Sequence, residues 1–487
     1  MTINYNMGAP AHCTTQWSQI NWYHCRREVR KLQVRIVKAV KERRWHKVKA
    51  LQWLLTHSFS AKALAVKRVT ENEGKRTAGV DRKKWITPNS KWNGILSLKR
   101  RGYRTSPLRR IYIPKSHGKD KRRALSIPTM KDRAMQALYL QALEPISETT
   151  ADPNSYGFRS KRSTADALEK SFNILSKKTS VRWVLEADIQ GCFDNIDHDW
   201  LLEHIPTDGR LLAQWLKAGF IESNTLFPMK SGTPQGGIIS PVLANMALDG
   251  LETRLKQTFS ASQRKRRRTK LHMVRYADDF IVTGYSREFL EKEVKPQIEI
   301  FLAERGLKLS INKTRIIHVE DGFDFLGFSI RRYSNKLLTK PSRKSIKSLL
   351  DKIRGIIKSH PTAKSLNLIR LLNPVIIGWS NYYRHTVAKV VFKNVDHAIW
   401  TSLWRWAKRR HPKKRVQWIK DKYFRQVGHR HWVFAACDKN VTTGLIKLVN
   451  ASDTKIRRHI RIQQKANPFD PEWDEYFAKR HFHKFRY

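Results

Sequence analysis

The chain has 487 residues, of which 40% are hydrophobic, so it is long enough for about two to four domains with cores and is not a disordered chain. Lys and Arg number 96 against 41 Asp and Glu, and the net charge of +55 predicts a polyanionic partner; this is nucleic acid rather than a membrane, because no long apolar span occurs. Four scattered cysteines exclude a disulfide framework or a Cys-based zinc site, and the first 15 residues lack a secretory signal pattern.

The first predicted elements are two basic amphipathic helices. Apolar residues recur at helical spacing over positions 29–40 and again over 45–55, while Lys and Arg dominate the remaining positions. We interpret these polar faces as RNA-contacting surfaces, and a solvated basic face is the alternative. Residues 74–81, which contain two glycines, end the helical pattern as a loop.

Two strands around a basic turn are predicted next, over residues 107–115 and 122–129. A helix follows over residues 130–146 and is predicted to end at Pro145, because proline cannot donate a backbone hydrogen bond. An aromatic-Gly-aromatic turn at residues 156–158 then leads into a basic loop and a further helix.

Three further segments carry carboxylates and glycines in an arrangement typical of phosphoryl chemistry. A short apolar strand ends in Asp188, and residues 232–241 form a Gly-rich turn that lets the backbone approach a ligand closely. Asp278 and Asp279 stand between two apolar runs, and we predict them at the tip of a hairpin. Like charges at such a tip repel unless a divalent cation binds them, so the pair indicates a hard-metal site, with a solvated turn as the alternative.

The C-terminal part of the chain is predicted to be helical. One helix runs from residue 342 to Pro361, a second covers residues 366–372 and is interrupted at Pro374, and a third passes through residues 395–404. The tail that follows mixes Arg and Lys with Trp, which favours phosphate contact and base stacking; inward-packed Trp residues with solvated charges are the alternative. A basic run at residues 264–270 is predicted to be a mobile insertion.

Taken in order, these motifs resemble those of group II intron-encoded reverse transcriptases. The likeness rests on four features: Asp188 with Phe193 five residues on, Pro-Gln-Gly at residues 234–236, Tyr-Ala-Asp-Asp at 276–279 and Gly-Trp-Ser-Asn-Tyr-Tyr at 378–383. It implies an α+β right-hand polymerase with fingers and a palm built on an antiparallel sheet, then an α-helical thumb called maturase domain X. The expected boundaries are an N-terminal extension (1–80), fingers (81–180), palm (181–335), thumb (336–411) and basic C-terminal DNA-binding region (412–487).

The resemblance also assigns roles to individual residues. Asp188, Asp278, Asp279 and the backbone carbonyl of Ile189 are expected to bind two Mg²⁺ ions about 4 Å apart, for which Mn²⁺ can substitute. Arg159 is expected to hold the template backbone. The expected nucleotide contacts are Lys115 and Arg123 with Arg110 as a further candidate on the triphosphate, Phe193 as a steric gate against ribonucleotides, Gln235 at the base pair and Lys313 at the leaving pyrophosphate.

The implied function is RNA-directed DNA synthesis from dNTPs, combined with maturase assistance to the splicing and mobility of a group II intron. The expected partners are intron RNA, an RNA template and a DNA primer or target, in the bacterial cytoplasm or on the nucleoid, with no membrane. No endonuclease is expected, because the paired cysteines of a His-Asn-His nuclease are not found beside Cys437. Two alternatives stay open: a splicing-only RNA-binding maturase, and a cellular reverse transcriptase of phage defence or CRISPR adaptation.

Overall fold

The computed structural model describes residues 16–114, 122–223, 225–438 and 444–485, which form two compact units. The first unit comprises the residues up to Ala167, Ala187–Arg315 and the residues from Ile462 onward; the second comprises Leu168–Glu186 and Ile316–Arg461. Helices and mainly antiparallel sheets make up the chain, as the α+β prediction requires. In the described part of the chain, no helix combines the length and apolar character needed to cross a bilayer.

Helices at the N-terminus form a bundle in the first unit. They are α1 (Trp22–Lys41), α2 (Trp45–His57), α3 (Phe59–Glu71) and α4 (Pro88–Ser97). Each of the two predicted amphipathic helices turns one apolar stripe inward, with Ile36 and Val40 buried in α1 and Leu51 and Leu55 buried in α2. Both predictions are confirmed, and α3 completes a bundle that the sequence pattern alone did not indicate.

The central helix of the first unit, α5 (Met130–Thr150), runs through Pro145, so the prediction that it ends there is wrong. Of its 21 residues, 17 are buried, and this packing outweighs the one backbone hydrogen bond that proline cannot donate. Gln141 ties the bundle together, because its side chain donates to the carbonyl of Ala61 in α3 and its own carbonyl accepts from Gln33 in α1, both at 2.9 Å.

Among the described residues up to 318 there are eight strands: β1 (Leu108–Pro114), β2 (Arg122–Ile127), β3 (Trp183–Asp188), β4 (Phe220–Glu222), β5 (Thr225–Phe227), β6 (His272–Tyr276), β7 (Asp279–Gly284) and β8 (Arg315–His318). They form two sheets, with the orders β2-β1-β4-β5 and β6-β7-β3-β8. β1 and β2 make the predicted antiparallel hairpin, with Arg109 opposite Ile127 and Pro114 opposite Arg122.

Helices between these strands include one at the basic run predicted to be a mobile insertion. The helices are α6 (Thr164–Leu175), α7 (Cys192–Asn195), α8 (His198–His204), α9 (Gly209–Leu216), α10 (Ser240–Leu248), α11 (Leu251–Phe259), α12 (Gln263–Thr269), α13 (Arg287–Phe289) and, after a π-helical turn at Leu290–Val294, α14 (Lys295–Ala303). The basic run at residues 264–270, predicted to be mobile, lies largely in α12.

The second unit contains the three helices predicted after the palm. Its helices are α15 (Arg343–Ser359), α16 (Ser365–Tyr383), α17 (Lys389–Arg410) and α18 (Val416–Tyr423), and its further strands are β9 (Phe323–Phe325), β10 (Phe328–Tyr333), β11 (Lys336–Pro341), β12 (Phe424–Val427), β13 (Arg430–Cys437) and β14 (Leu445–Lys447). The predicted break at Pro374 is wrong, because α16 continues through it with Leu372 and Ile376 buried. Trp400 and Trp404 pack edge-on against Trp432. Of the tryptophans predicted to bind nucleic acid, Trp406 is buried in this unit, whereas Trp418 is 38% exposed.

Residues 462–485, which we call the C-terminal strap, belong to the first unit and end in α19 (Asp474–Phe485). Asp166, fully buried, accepts hydrogen bonds from the backbone N–H of Ile462 at 2.7 Å and from Arg480 at 2.8 Å. Lys41 of α1 pairs with Asp470 at 2.5 Å. The expected DNA-binding region at 412–487 is therefore divided between the two units.

Candidate active site

The turn between β6 and β7 presents Asp278 and Asp279. β6 and β7 pair antiparallel, with Tyr276 opposite Asp279, so only Ala277 and Asp278 connect them and the predicted hairpin is confirmed. Ala277 has φ +58°, the left-handed backbone that two-residue hairpin connections require and that a non-glycine residue adopts only under constraint.

That constraint comes from the aromatic-Gly-aromatic turn predicted at residues 156–158. Arg275 of β6 donates its N–H to the carbonyl of Asn154 and accepts from the N–H of Tyr156, both at 2.9 Å. A Cβ on Gly157 would lie 2.4 Å from the backbone nitrogen of Ala277, so only glycine allows this approach. The Tyr-Gly-Phe segment thus acts as a strand-like brace for the hairpin.

A buried polar network fixes the same hairpin from inside. The Arg275 side chain is 1% exposed and donates to Asn245 Oδ1 at 3.2 Å, to Ala277 O at 3.4 Å and to Asp249. Asn245 in turn donates to the carbonyl of Gly157 at 2.7 Å. Burial raises the pKa of Asp249 to about 6, although Arg275 opposes the shift. The sequence analysis predicted no role for Arg275, Asn245 or Asp249. The signal that could have indicated one is a single Arg inside a mainly apolar strand.

Asp188 reaches the site from the end of β3. Its carbonyl accepts from the N–H of Ser310 at 2.8 Å, and the following residue, Ile189, bridges to Leu309. The Asp188 carboxylate accepts from Lys313 Nζ at 2.7 Å. This hydrogen bond is the main reason that the pKa of Lys313 lies above its ordinary value, with added contributions from the charges of Asp188, Asp278 and Asp279.

The carboxylates of Asp188 and Asp278 influence each other. Burial raises the pKa of Asp278, the charge of Asp188 raises it further, and the cations of Lys313 and Arg123 lower it. Cys192, buried next to these acids, has its pKa raised to about 12, first by burial and then by the charge of Asp278. Cys192 is therefore a neutral thiol at neutral pH and not a nucleophile.

The Gly-rich turn is held against β2 and α7. Ser126 donates its N–H to the carbonyl of Gln235 at 2.8 Å, and the Gln235 side chain donates to the carboxylate of Asp194 at 3.2 Å. Gly236 has φ +128°, and a Cβ there would lie 2.5 Å from the carbonyl oxygen of Ser126. Phe193 meets Phe158 edge-on, with ring centroids 6.1 Å apart.

Most of the predicted site residues line one open cavity of about 660 Å³. Those that line it are Arg123, Asp188, Ile189, Phe193, Gln235, Asp278 and Lys313. Tyr112, Arg122 and Pro241 line it too without having been predicted. Asp279 stands at the start of β7 and does not line this cavity, while Lys115 lies outside the described residues. Arg110 places its guanidinium over the ring of Phe220 at 3.7 Å.

Arg159, predicted to hold the template, makes buried contacts within the first unit. Its side chain is 5% exposed, and its donors are taken by both carboxylate oxygens of Glu148 and by the carbonyls of Asp152 and Ser155, at 2.6–2.9 Å. The prediction assumed that Arg159, a basic residue in a loop, is exposed, but this loop packs against α5. In this conformation the guanidinium donors are occupied within the protein.

The donor set at the cavity matches a hard divalent cation in type. Two carboxylates face one space, and a cation between them would relieve their repulsion. Within the described ranges, no three His, Cys, Asp or Glu side chains are grouped closely enough to hold a metal ion. The cation present at Asp188 is the ammonium of Lys313.

Comparison with known families gives three matches along the chain. A model of the N-terminal domain of reverse transcriptase matches residues 17–98, one of reverse transcriptase (RNA-dependent DNA polymerase) matches residues 113–330, and one of the group II intron maturase-specific domain matches residues 346–424. The three models follow one another in the order of the predicted N-terminal extension, polymerase and thumb.

Individual proteins show the same likeness. Protein YkfC of Escherichia coli (strain K12) is 35% identical over 268 residues, which are 47% of this chain and 68% of YkfC. Group II intron-encoded protein LtrA of Lactococcus lactis subsp. cremoris is 30% identical over 410 residues, which cover 66% of this chain and 68% of LtrA. Among solved structures, apo telomerase from Candida tropicalis aligns with a TM-score of 0.40 and 13% identity, over 66% of this chain and 60% of that one.

Proposed function

Because the chain belongs to the family of group II intron-encoded reverse transcriptases, we propose that its RNA-directed DNA polymerase activity resides in the cavity lined by Asp188, Asp278 and Gln235. The observation that carries this assignment is that two carboxylates, distant in sequence, reach one cavity from separate strands. A volume of about 660 Å³ suits a nucleotide, since small-molecule sites span roughly 300–1,000 Å³.

We assign magnesium binding to Asp188, Asp278, Asp279 and the carbonyl of Ile189, with two ions in the active state and Mn²⁺ as a substitute. When bound, the ions would lower the pKa of the primer 3′-hydroxyl and stabilise the charge of the pyrophosphate. The raised pKa of Asp278 supports this assignment, because a buried carboxylate beside another acid gains stability from any cation placed near it.

Other residues of the chain bind and orient the nucleotide. Arg123 is exposed at the cavity and carries a planar cation suited to a triphosphate, and Lys115 is proposed for the same role. Lys313 carries an ammonium at neutral pH, as an ordinary lysine does, and its hydrogen bond to Asp188 raises its pKa further; this ammonium can donate to the leaving pyrophosphate. Phe193 lines the cavity as the proposed gate against a 2′-hydroxyl, and Gln235 is positioned by Asp194.

We further propose that the protein binds its group II intron RNA and assists the splicing and mobility of that RNA. The maturase-specific match, residues 346–424, runs from within α15 to the end of α18, and the net charge of +55 supplies the electrostatic attraction. The proposed thumb is 336–411. The proposed basic C-terminal DNA-binding region is 412–487, of which the strap belongs to the first unit. The proposed location is the bacterial cytoplasm, with association to the nucleoid when DNA is bound.

Comparing Asp278→Asn with the unaltered protein tests the assignment, with primer extension on an RNA template and intron splicing measured in parallel. We expect extension to fall to background and splicing to persist, because the carboxylate serves only the polymerisation chemistry. Asp199→Asn, an exposed acid in α8 that does not line the cavity, is the matched control and should retain both activities. Undiminished extension by Asp278→Asn would refute the assignment. An unaltered protein that splices without extending would support the splicing-only alternative.

A further inference from the structure

A second cavity, of about 360 Å³, opens in the first unit among α2, α3, α5 and residues 98–101. None of the residues assigned to polymerisation lines it. Its lining has three chemically distinct parts: an aromatic wall, a cationic rim and an apolar floor. This combination matches three parts of a pyrimidine nucleotide's surface, which are the flat face of the base, the charged phosphate and the C5–C6 edge of the ring.

The aromatic wall consists of Trp53 and His57, one helical turn apart in α2. Their rings stack with centroids 4.3 Å apart and an interplanar angle of 24°, and His57 Nδ1 lies 2.8 Å from the carbonyl of Trp53. The indole is nevertheless 58% exposed. Exposing this much aromatic surface gains nothing in folding, while a paired and oriented ring is a ready platform for a base.

The cationic rim consists of Lys62, Lys99, Arg100 and Arg101. Arg100 pairs with Asp208, the one acid in direct ionic contact with the rim among the described residues. Lys62 is partly buried, and burial together with the charge of Lys99 lowers its pKa. Cations held this close destabilise one another, and an anion between Lys62 and Lys99 would relieve the repulsion.

The apolar floor is made by α5. Met135 and Leu138 are buried side chains that form part of the cavity lining. A hydrated inorganic ion would gain nothing from such a floor, whereas the C5–C6 edge of a pyrimidine, which carries no hydrogen-bonding group, loses unfavourable contact with water there. The floor therefore favours a ligand with both an apolar ring and a charged group.

We propose that this cavity binds one unpaired nucleotide of a single strand, with its base against Trp53 and its phosphate between Lys62 and Lys99. A base within a duplex is already stacked on both faces and could not enter, so the ligand is a loop, a bulge or an end. The inference rests on the nucleic-acid partner proposed above and adds a binding site separate from the polymerase cavity. RNA and single-stranded DNA share the chemistry, so the test includes both.

The test uses the full-length protein and 12-nucleotide oligouridylate or oligothymidylate, with affinities measured at several salt concentrations. Trp53→Ala should weaken binding about tenfold, since one stacked base is worth about 1–3 kcal/mol, and Trp53→Phe should restore most of it. The charge variant Lys62→Gln/Lys99→Gln should reduce the slope of log affinity against log salt by about 1.4, at roughly 0.7 for each of two lost charges. Trp45→Ala and Lys217→Gln/Lys292→Gln are exposed controls outside the cavity and should change neither quantity.

A second readout places the base directly. Oligonucleotides that carry 5-iodouridine, irradiated in the complex, should crosslink to the peptide containing Trp53 and His57, and Trp53→Ala should abolish that crosslink. Stronger crosslinking by the RNA than by the DNA would identify RNA as the source of the nucleotide, and the reverse would identify DNA; either outcome supports the site.

Three results distinguish a failure of the proposed nucleotide site at Trp53 from a failure of the proposed polymerase function. If Trp53→Ala and Trp45→Ala bind alike and crosslinks fall elsewhere, the proposal is overturned and the cavity serves another partner, such as a protein. Primer extension on a short template should be unchanged in the cavity variants, so a failure of the site leaves the polymerase assignment intact. Asp278→Asn should still crosslink at the peptide containing Trp53 and His57. Loss of this crosslink in Asp278→Asn would overturn the proposal that the site is independent of the polymerase cavity.

Discussion

Replacing Arg275 by Met is expected to destabilise the hairpin that carries Asp278 and Asp279 by about 3–5 kcal/mol at pH 8. Methionine retains the apolar stem but removes the donors to Asn245, Ala277 and Asp249. The main loss is electrostatic, because Asp249 is left as a buried carboxylate without its cation, and breaking a buried pair from one side typically costs this much.

The size of this effect should depend on pH, because Asp249 has a folded-state pKa of about 6 against an ordinary 3.8. For a carboxyl group with a raised pKa, the loss of stability is absent below the unfolded pKa, grows as pH rises and is complete above the folded pKa. Without Arg275 the folded pKa rises further, so the loss continues to grow above pH 6 in the variant only. At pH 5 the carboxyl is largely protonated in both proteins, and about 1–2 kcal/mol should remain for the lost hydrogen bonds.

The loss of stability caused by Arg275→Met is measured by urea unfolding at pH 5 and at pH 8. Hydrogen–deuterium exchange of peptides from β6 and β7 follows the hairpin itself. Arg254→Met is the matched control, because Arg254 pairs with Glu304 at the surface and its loss should cost at most about 1 kcal/mol at either pH. An equal loss at the two pH values, or a loss no larger than that of the control, would refute the reasoning about Asp249.

Three further substitutions test other parts of the structure. Gly157→Ala should abolish primer extension, because the new Cβ would lie 2.4 Å from backbone of the β6–β7 turn, while Gly355→Ala, with open space around it, should leave extension unchanged. Asp166→Asn should cost about 3 kcal/mol and expose residues 462–473 to limited proteolysis, whereas the exposed control Lys479→Met should not. Phe193→Val should raise ribonucleotide incorporation at least about tenfold, read as the ratio of kcat/KM for rNTP and dNTP; an unchanged ratio would contradict the gate.

The active-site hairpin could be predicted from local pattern, since two apolar runs around two acids leave few other structures. Its supports could not, because the contacts of Arg275 with Asn245 and Asp249 join β6 to residues in and after α10 that are distant in sequence. A lone Arg in an apolar strand signals a buried partner without identifying it. Tertiary contacts also decide burial, which the local pattern does not show: Arg159 is basic and in a loop, yet it is buried against Glu148.

Proline was the weakest guide to helix ends. Pro145 and Pro374 both lie inside long helices, although the local rule predicts a break at each. α5 and α16 bury apolar residues on both sides of the proline, and this burial outweighs one missing hydrogen bond. The second cavity had no sequence prediction either, because its wall, rim and floor come from separate segments that only the fold brings together.

The division of the first unit between the two ends of the chain determines when it can be completed during synthesis. Translation is directional, so the strap leaves the ribosome only after every residue of the second unit. Until the strap is synthesised, the ion pairs Arg30–Asp474, Lys41–Asp470 and Asp166–Arg480 cannot form. A protein truncated before residue 462 would contain every residue that lines the polymerase cavity. It would lack the ion pairs that hold the strap to the rest of the first unit.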